Sequence, residues 1–110
     1  MVLLLMKLSY NIFMIKLDWE KLRARYSKDP NSRTKNHIAF KVARVTDVGV
    51  FIDLPSRHEY ISRENLEKAV ELINSGEGIK GPSDYRKKVC DQRPAYAWAI
   101  LRDMGCILGE

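Results

Sequence analysis

Three carboxylates occupy positions where a small enzyme could hold a metal ion. Asp47, Asp53 and Glu59 lie at the adjoining ends of predicted strands, and clustered carboxylates bind Mg²⁺ in metal-dependent nucleases. No matching catalytic lysine follows them, and an aspartate in a turn, such as Asp47, is favoured there because its side chain bonds to the backbone. A metal-dependent nuclease is therefore only the third of the functions considered.

The other reactive side chains stand apart from one another. His37 and His58 have no second ligand or nucleophile at a mechanistic spacing, and Cys90 and Cys106 belong to neither a CxxC motif nor a Cys/His cluster. The two thiols are expected to be free, with a Cys90–Cys106 bridge as the alternative. The sequence therefore predicts a non-enzymatic protein with no catalytic residue, metal or cofactor.

Charge is distributed in three blocks along the 110 residues, whose formal net charge is +5. Residues 16–44 carry nine basic and three acidic side chains, and residues 80–102 carry six basic and two acidic ones. Residues 45–79, between them, have a net charge of −4. This pattern favours a polyanionic partner that meets the basic segments while the acidic block faces elsewhere. Solvated helix faces would explain the same charges without a partner.

The elements that must position these residues predict one α+β domain over residues 1–110. Asp18 is expected to cap a short helix over residues 18–28. Alternating apolar residues then predict strands at residues 38–43, 48–54 and 58–61, joined as a three-stranded antiparallel meander. Ser62 begins an amphipathic helix whose apolar stripe is Leu66, Ala69, Val70 and Ile73. A glycine-rich link leads from this helix to a C-terminal pair of helices.

The C-terminal pair has the features of two helices joined by a short turn. Residues 83–107 read SDYRKKVCDQRPAYAWAILRDMGCI. Ser83 is the expected cap of the first helix, residues 91–93 form a break, and Pro94 opens a second helix that runs to Met104. This segment resembles the helix-turn-helix of winged-helix DNA-binding proteins.

The resemblance implies that the first helix packs across the second, and that the second presents its outer face to the major groove. Phosphate contacts would come from the basic run of the first helix, which is Arg86, Lys87 and Lys88. Groove contacts would come from three further side chains, Gln92, Arg93 and Arg102. The second helix also carries residues that can contact no base group beyond a thymine methyl, namely Ala95, Ala97 and Ala99.

Trp98 allows two arrangements of the last helix. It falls with Ala95 and Arg102 on the side opposite the predicted core stripe of Ala97, Ile100, Leu101 and Met104. An exposed tryptophan beside an arginine would stack on a base or contact a partner subunit, and Trp98 would then join the nucleic-acid site. In the alternative, Trp98 packs on the meander as part of the core.

These observations favour a cytoplasmic, non-enzymatic nucleic-acid-binding protein, with DNA preferred over RNA, that acts as a small regulator of transcription or an accessory factor. The rival interpretation is a structural or adaptor protein that acts by self-association. Salt separates the two, because polyanion binding weakens with salt through counterion release. No membrane partner is expected, since the apolar run from Met1 to Met6 is too short to span a bilayer.

We predict a homodimer, because residues 1–15 form an N-terminal extension that supplies more apolar surface than so small a domain can cover. Sedimentation of the full chain and of a version that begins at Met14 tests this, with the full chain expected to sediment as a dimer and the shorter one as a monomer. Monomers in both cases would exclude the idea.

Overall fold

The computed structural model describes residues 14–54 and 57–107, and of residues 57 and 58 it describes only the backbone. The predicted N-terminal extension therefore lies almost wholly outside the described residues. In the described part, the order of elements is α1 (Trp19–Lys28), β1 (Asn31–Arg33), β2 (Ala39–Val45), β3 (Gly49–Leu54), β4 (Arg57–Ser62), α2 (Arg63–Asn74), α3 (Pro82–Lys88) and α4 (Pro94–Asp103). This is an α+β fold, as predicted. None of the described helices has the length and apolar character needed to cross a membrane.

Side-chain caps fix where the first two helices begin. Asp18 accepts a hydrogen bond from the Lys21 amide at 3.2 Å, and Ser62 accepts one from the Asn65 amide at 3.1 Å. Each cap satisfies a backbone N–H that has no partner within its helix. Both caps are the residues predicted from the sequence.

The third helix begins earlier than predicted. Its N-cap is Gly81 rather than Ser83, and Pro82 occupies the first turn. Proline suits that position because its fixed φ is helical and its missing N–H would have had no partner there. The Asp84 carboxylate accepts a hydrogen bond from the Lys80 amide at 3.0 Å, which holds the link against this first turn.

The sheet has one strand more than the predicted meander. Its four described strands are antiparallel in the order β1-β2-β3-β4, and the three predicted strands are β2, β3 and β4. The additional strand, β1, pairs Ser32 with Phe40 at the edge next to β2. The sequence analysis predicted no strand at these three residues, because they are polar and show no apolar alternation. Pairing with β2, rather than local preference, makes them a strand.

All the helices that contact the sheet pack on the same face of it. Apolar side chains of β2, β3 and β4 point to this covered face and are buried: Phe40, Val42, Val50, Ile52 and Ile61. Helix α1 lies against β2, α2 against β3 and β4, and α4 against β1, while α3 packs on α4. Because successive strand residues point to opposite sides, the intervening side chains form a second face. No described helix covers that second face, which we call the open face.

A carboxylate at the end of α4 connects this helix to α1 and β1 through hydrogen bonds. Asp103 accepts hydrogen bonds from the Tyr26 hydroxyl of α1 at 2.8 Å and from the Ser32 hydroxyl of β1. Its other oxygen accepts from Arg102 at 3.1 Å. Burial, followed by the negative charge of Asp103, raises the pKa of Tyr26 well above its ordinary value. This network fixes the end of α4 against α1 and the edge strand.

Replacement of Leu66 by Ala is expected to lower the free energy of unfolding by ~2–4 kcal/mol, because the side chain is fully buried between α2 and the sheet. Urea denaturation measures the change. The control is Glu67→Ala on the same helix, whose ion pair with Arg63 at 2.6 Å is exposed and should contribute about 0.5 kcal/mol or less. Equal effects of the two substitutions would contradict the packing of α2.

Candidate nucleic-acid interface

The basic run of α3 is only partly available for contacts with a partner. Arg86 is exposed and forms an ion pair with Asp91 at 2.9 Å, and Lys87 is exposed as well. Lys88 instead turns toward the fold, where it pairs with Asp84 at 3.3 Å and donates to the Gly78 carbonyl at 3.2 Å. Lys88 thus fastens α3 to the preceding link, while Arg86 and Lys87 keep exposed cationic groups.

The predicted groove contacts do not form one surface. Gln92 is exposed in the turn between α3 and α4. Arg93 forms an ion pair with Glu59 of β4, whose side chain is 15% exposed, and this hydrogen bond raises the pKa of the Arg93 guanidinium. Arg102 donates to the Arg33 carbonyl at 2.5 Å. Arg93 and Arg102 therefore connect α4 to the two edges of the sheet.

Trp98 is buried, which decides between the two arrangements predicted for it. Its exposed fraction is 1%, and the charged groups of Arg102 and Lys35 lie 5.3 Å and 5.8 Å from the centre of its ring. The prediction of an outward, base-stacking Trp98 is wrong, and the core alternative is confirmed. The reason is tertiary, since α4 is enclosed by α3 and the sheet.

The burial of the residues next to Trp98 in α4 has the same cause, the enclosure of this helix by α3 and the sheet. Five successive residues are buried: Ala97, Trp98, Ala99, Ile100 and Leu101. A helix that is apolar on all sides belongs to a core. This stretch has no exposed face to lay in a DNA groove, so the role that the resemblance implies for the second helix does not fit the geometry.

The three candidate metal-binding carboxylates are held apart. Asp53 pairs in register with His58, and Glu59 pairs with Ile52 on the opposite, covered face. Asp47 lies in the turn between β2 and β3, where it accepts a hydrogen bond from Arg23 at 2.6 Å. Among the described residues, no three His, Cys, Asp or Glu side chains are grouped so as to hold a metal ion.

The described cysteines are free thiols. Cys90 is half-buried, and Cys106 is buried against the core. Burial raises the pKa of the Cys106 thiol, which keeps it protonated and unreactive. Tyr85, the buried residue of α3, is fully enclosed, and burial likewise raises its pKa. These groups are part of the packing.

The open face carries a feature that the sequence analysis missed. A row of three residues, Arg44, Phe51 and Tyr60, crosses it from β2 to β4 in direct register. The Phe51 and Tyr60 ring centres are 4.9 Å apart with planes inclined by 45°, and the Arg44 guanidinium lies 4.4 Å from the centre of Phe51. We call these three residues the aromatic row.

Two backbone features produce the aromatic row. The register of β2 against β3 shifts between Val42 and Arg44, and this irregularity brings Arg44 rather than Ala43 opposite Phe51. Gly49 leaves space for the Tyr60 ring, because a Cβ atom there would be 2.4 Å from Tyr60 Cε2. The Tyr60 hydroxyl then donates to the Val48 carbonyl at 2.7 Å. The ring is therefore held along the sheet surface.

A signal for the aromatic row was present in the sequence. Phe51 alternates with Val50 and Ile52, so it falls on the solvent-facing phase of its strand. A large aromatic residue at such a position indicates either a cross-strand pair or a contact surface. That Phe51 lies beside Tyr60 and Arg44 could be seen only once the pairing register of the strands was known.

Two of the predicted site residues lie together in a cleft that is separate from the aromatic row. Arg86 and Arg93 line a cleft of about 320 Å³ together with Lys35, between the β1–β2 turn and the starts of α3 and α4. Lys35 comes from the first basic block of the sequence, and the two arginines come from the second. We call this site the basic cleft.

Gly49→Ala is expected to destabilise the protein by ~1–3 kcal/mol, because the new methyl group would overlap the Tyr60 ring and also lie 2.5 Å from the Ile61 carbonyl oxygen. Thermal denaturation measures the loss. The matched control is Gly81→Ala, where the added group meets only the flexible end of Lys35 at 3.0 Å; its effect should stay within about 1 kcal/mol. A Gly49→Ala variant as stable as the parent would contradict the position of the Tyr60 ring.

Comparison with known proteins adds no further constraint on this site. No family model matches the chain, and no curated protein or solved structure is significantly similar to it. The assignment of function therefore depends on the geometry of the aromatic row, the basic cleft and the distribution of charge.

Proposed function

We propose that the protein is a non-enzymatic nucleic-acid-binding protein, and that its open face binds a single strand. The observation that carries this proposal is the aromatic row, Arg44, Phe51 and Tyr60, on a sheet face that no described helix covers. Aromatic side chains on an uncovered sheet are a recurrent platform for unpaired bases, because every base offers a π-face for stacking.

The geometry of the aromatic row suits stacking. Phe51 and Tyr60 are each half-buried, so part of each ring remains exposed to solvent. The planar guanidinium of Arg44 lies over Phe51 and extends the stack by one more flat group. Tyr60 is held by its hydrogen bond to Val48, so little conformational entropy is lost when a base stacks on it.

The charges around the aromatic row suit a phosphate backbone. Lys41 and Arg33 are exposed on the same face as Arg44, while Asp53 stands opposite Lys41. The exposed carboxylates of α2, which are Glu64, Glu67 and Glu71, belong to a helix that packs on the covered side. A polyanion is thus attracted to the open face and repelled from the acidic helix.

A single strand fits this face better than a duplex. In a duplex the bases are stacked on one another and offer only their edges in the grooves, which are read by a protruding helix or ribbon. The central stretch of α4, residues 97–101, is buried, whereas the open face is a broad surface with two half-buried aromatic rings. Unpaired bases are the groups that such a surface can stack.

Phe51→Leu and Tyr60→Leu are each expected to weaken binding of a fluorescent oligonucleotide by roughly 5- to 150-fold, because one stacked base contributes about 1–3 kcal/mol. Fluorescence anisotropy should be measured with single-stranded DNA, single-stranded RNA and the matching duplex. Single strands should bind more tightly than the duplex. If the parent binds none of them at low salt, the adaptor interpretation replaces this one.

The contribution of Arg44 can be tested through salt. Arg44→Gln should flatten the plot of log affinity against log salt by about 0.7 for a single strand, because one fewer counterion is released. The matched control is Lys68→Gln, the same loss of charge at an exposed position on α2, which should leave the slope unchanged. Equal changes in the two variants would show that overall charge, and not the open face, governs binding.

A further inference from the structure

The basic cleft brings together cationic side chains from three separate segments. It is lined by the β1–β2 turn and by the starts of α3 and α4, and its volume is about 320 Å³, within the usual range for small-molecule sites. Lys35 comes from the turn, Arg86 from α3 and Arg93 from the residue before α4. None of these residues belongs to the aromatic row.

The cations differ in how firmly they are held. Arg93 is fixed by its ion pair with Glu59, at a left-handed backbone position with φ 48°. Arg86 is paired with Asp91, but the two side chains are 60% and 80% exposed, and such surface pairs exchange partners at little cost. The Lys35 ammonium lies 3.4 Å from the Lys80 carbonyl. Arg86 and Lys35 are therefore available to a bound anion.

Part of the lining of the cleft is apolar. Ile38 lines it and is 61% exposed, a high exposure for so large an apolar side chain. Tyr96 also lines it, with its ring held edge-on against Phe40 at 4.9 Å between ring centres. Pro82 and Pro94 add rigid apolar surface. A ligand with a flat or apolar body and an anionic end matches this mixed lining.

The polar groups of the cleft favour a phosphate as the anionic end. Arginine and lysine side chains from different directions suit a tetrahedral anion with several acceptor oxygens. Ala95 and Tyr96, in the first turn of α4, also line the cleft, and the positive end of the helix dipole adds to the attraction. Asn36, which is exposed, lines the same cleft with an amide that can bond to hydroxyl groups.

We propose that the basic cleft binds a phosphomonoester carried on a nucleoside-sized body, with the phosphate between Lys35, Arg86 and Arg93 and the body against Ile38 and Tyr96. A free nucleoside 5′-monophosphate and the 5′-phosphate end of a strand share this chemistry. The cleft is a second site, and its existence does not depend on binding at the open face.

Isothermal titration calorimetry with adenosine 5′-monophosphate, adenosine and inorganic phosphate tests the ligand class. The monophosphate is expected to bind more tightly than either fragment. Arg86→Gln and Lys35→Gln should each weaken its binding by about tenfold, the effect of losing one charge-assisted hydrogen bond. The matched control is Lys87→Gln, which neighbours Arg86 on α3 but does not line the cleft, and which should bind as the parent does.

The source of the phosphate is tested with two short oligonucleotides that differ only in a 5′-phosphate or a 5′-hydroxyl. A preference for the phosphorylated strand that Arg86→Gln abolishes would assign the cleft to strand ends, and a preference confined to the mononucleotide would assign it to free nucleotides. Phe51→Leu should leave mononucleotide binding intact, which separates the two proposals.

Three results would each overturn the assignment of the basic cleft. They are an absence of mononucleotide binding, an equal affinity for adenosine or inorganic phosphate, and an equal weakening of binding by Lys87→Gln.

Discussion

Packing of all the sheet-contacting helices on one side of a four-stranded sheet is the constraint on which the rest of the structure depends. Burial of Phe40, Val42, Val50, Ile52 and Ile61 on the covered face determines, through the two-residue period of the strands, which side chains face the other way. A shift of one residue in the pairing of any strand would move the buried side chains of that strand to the open face. The register that buries the core therefore also assembles the aromatic row.

Enclosure of α4 explains why its central stretch, residues 97–101, belongs to the core rather than to a binding surface. Asp103 fixes the end of the helix to Tyr26 and Ser32, and Arg93 fixes its start to Glu59. Trp98 fills the space between these ends. The Asp103 side chain is only 11% exposed, and a carboxylate so far from solvent is retained only where hydrogen bonds satisfy it, so Asp103 and its partners hold α4 in one orientation. Helix α4 thereby connects α1 and the two edge strands, β1 and β4, through contacts at its two ends.

The two surfaces proposed for binding use different physical properties. The open face combines half-buried aromatic rings with exposed cations, which suits a flexible strand with no defined end. The basic cleft is concave and is lined by three cationic side chains, which suits a small anionic ligand or a strand terminus. Both are built from residues that are distant in the sequence, and both are separated from the acidic surface of α2. The net charge of +5 favours polyanions generally, and these two surfaces are the contacts that we propose for them.

The sequence by itself determined the local structure of this protein. The caps Asp18 and Ser62, the apolar stripe of α2 and the alternation in β2 and β3 predicted helices α1 and α2 and these two strands, because such features depend on neighbouring residues alone. It could not determine β1, whose polar residues become a strand only beside β2, or the burial of Trp98. The aromatic row and the basic cleft were likewise decided by tertiary structure. Strand register and the docking of helices on a single face join residues far apart in the chain, and no local pattern encodes those distances.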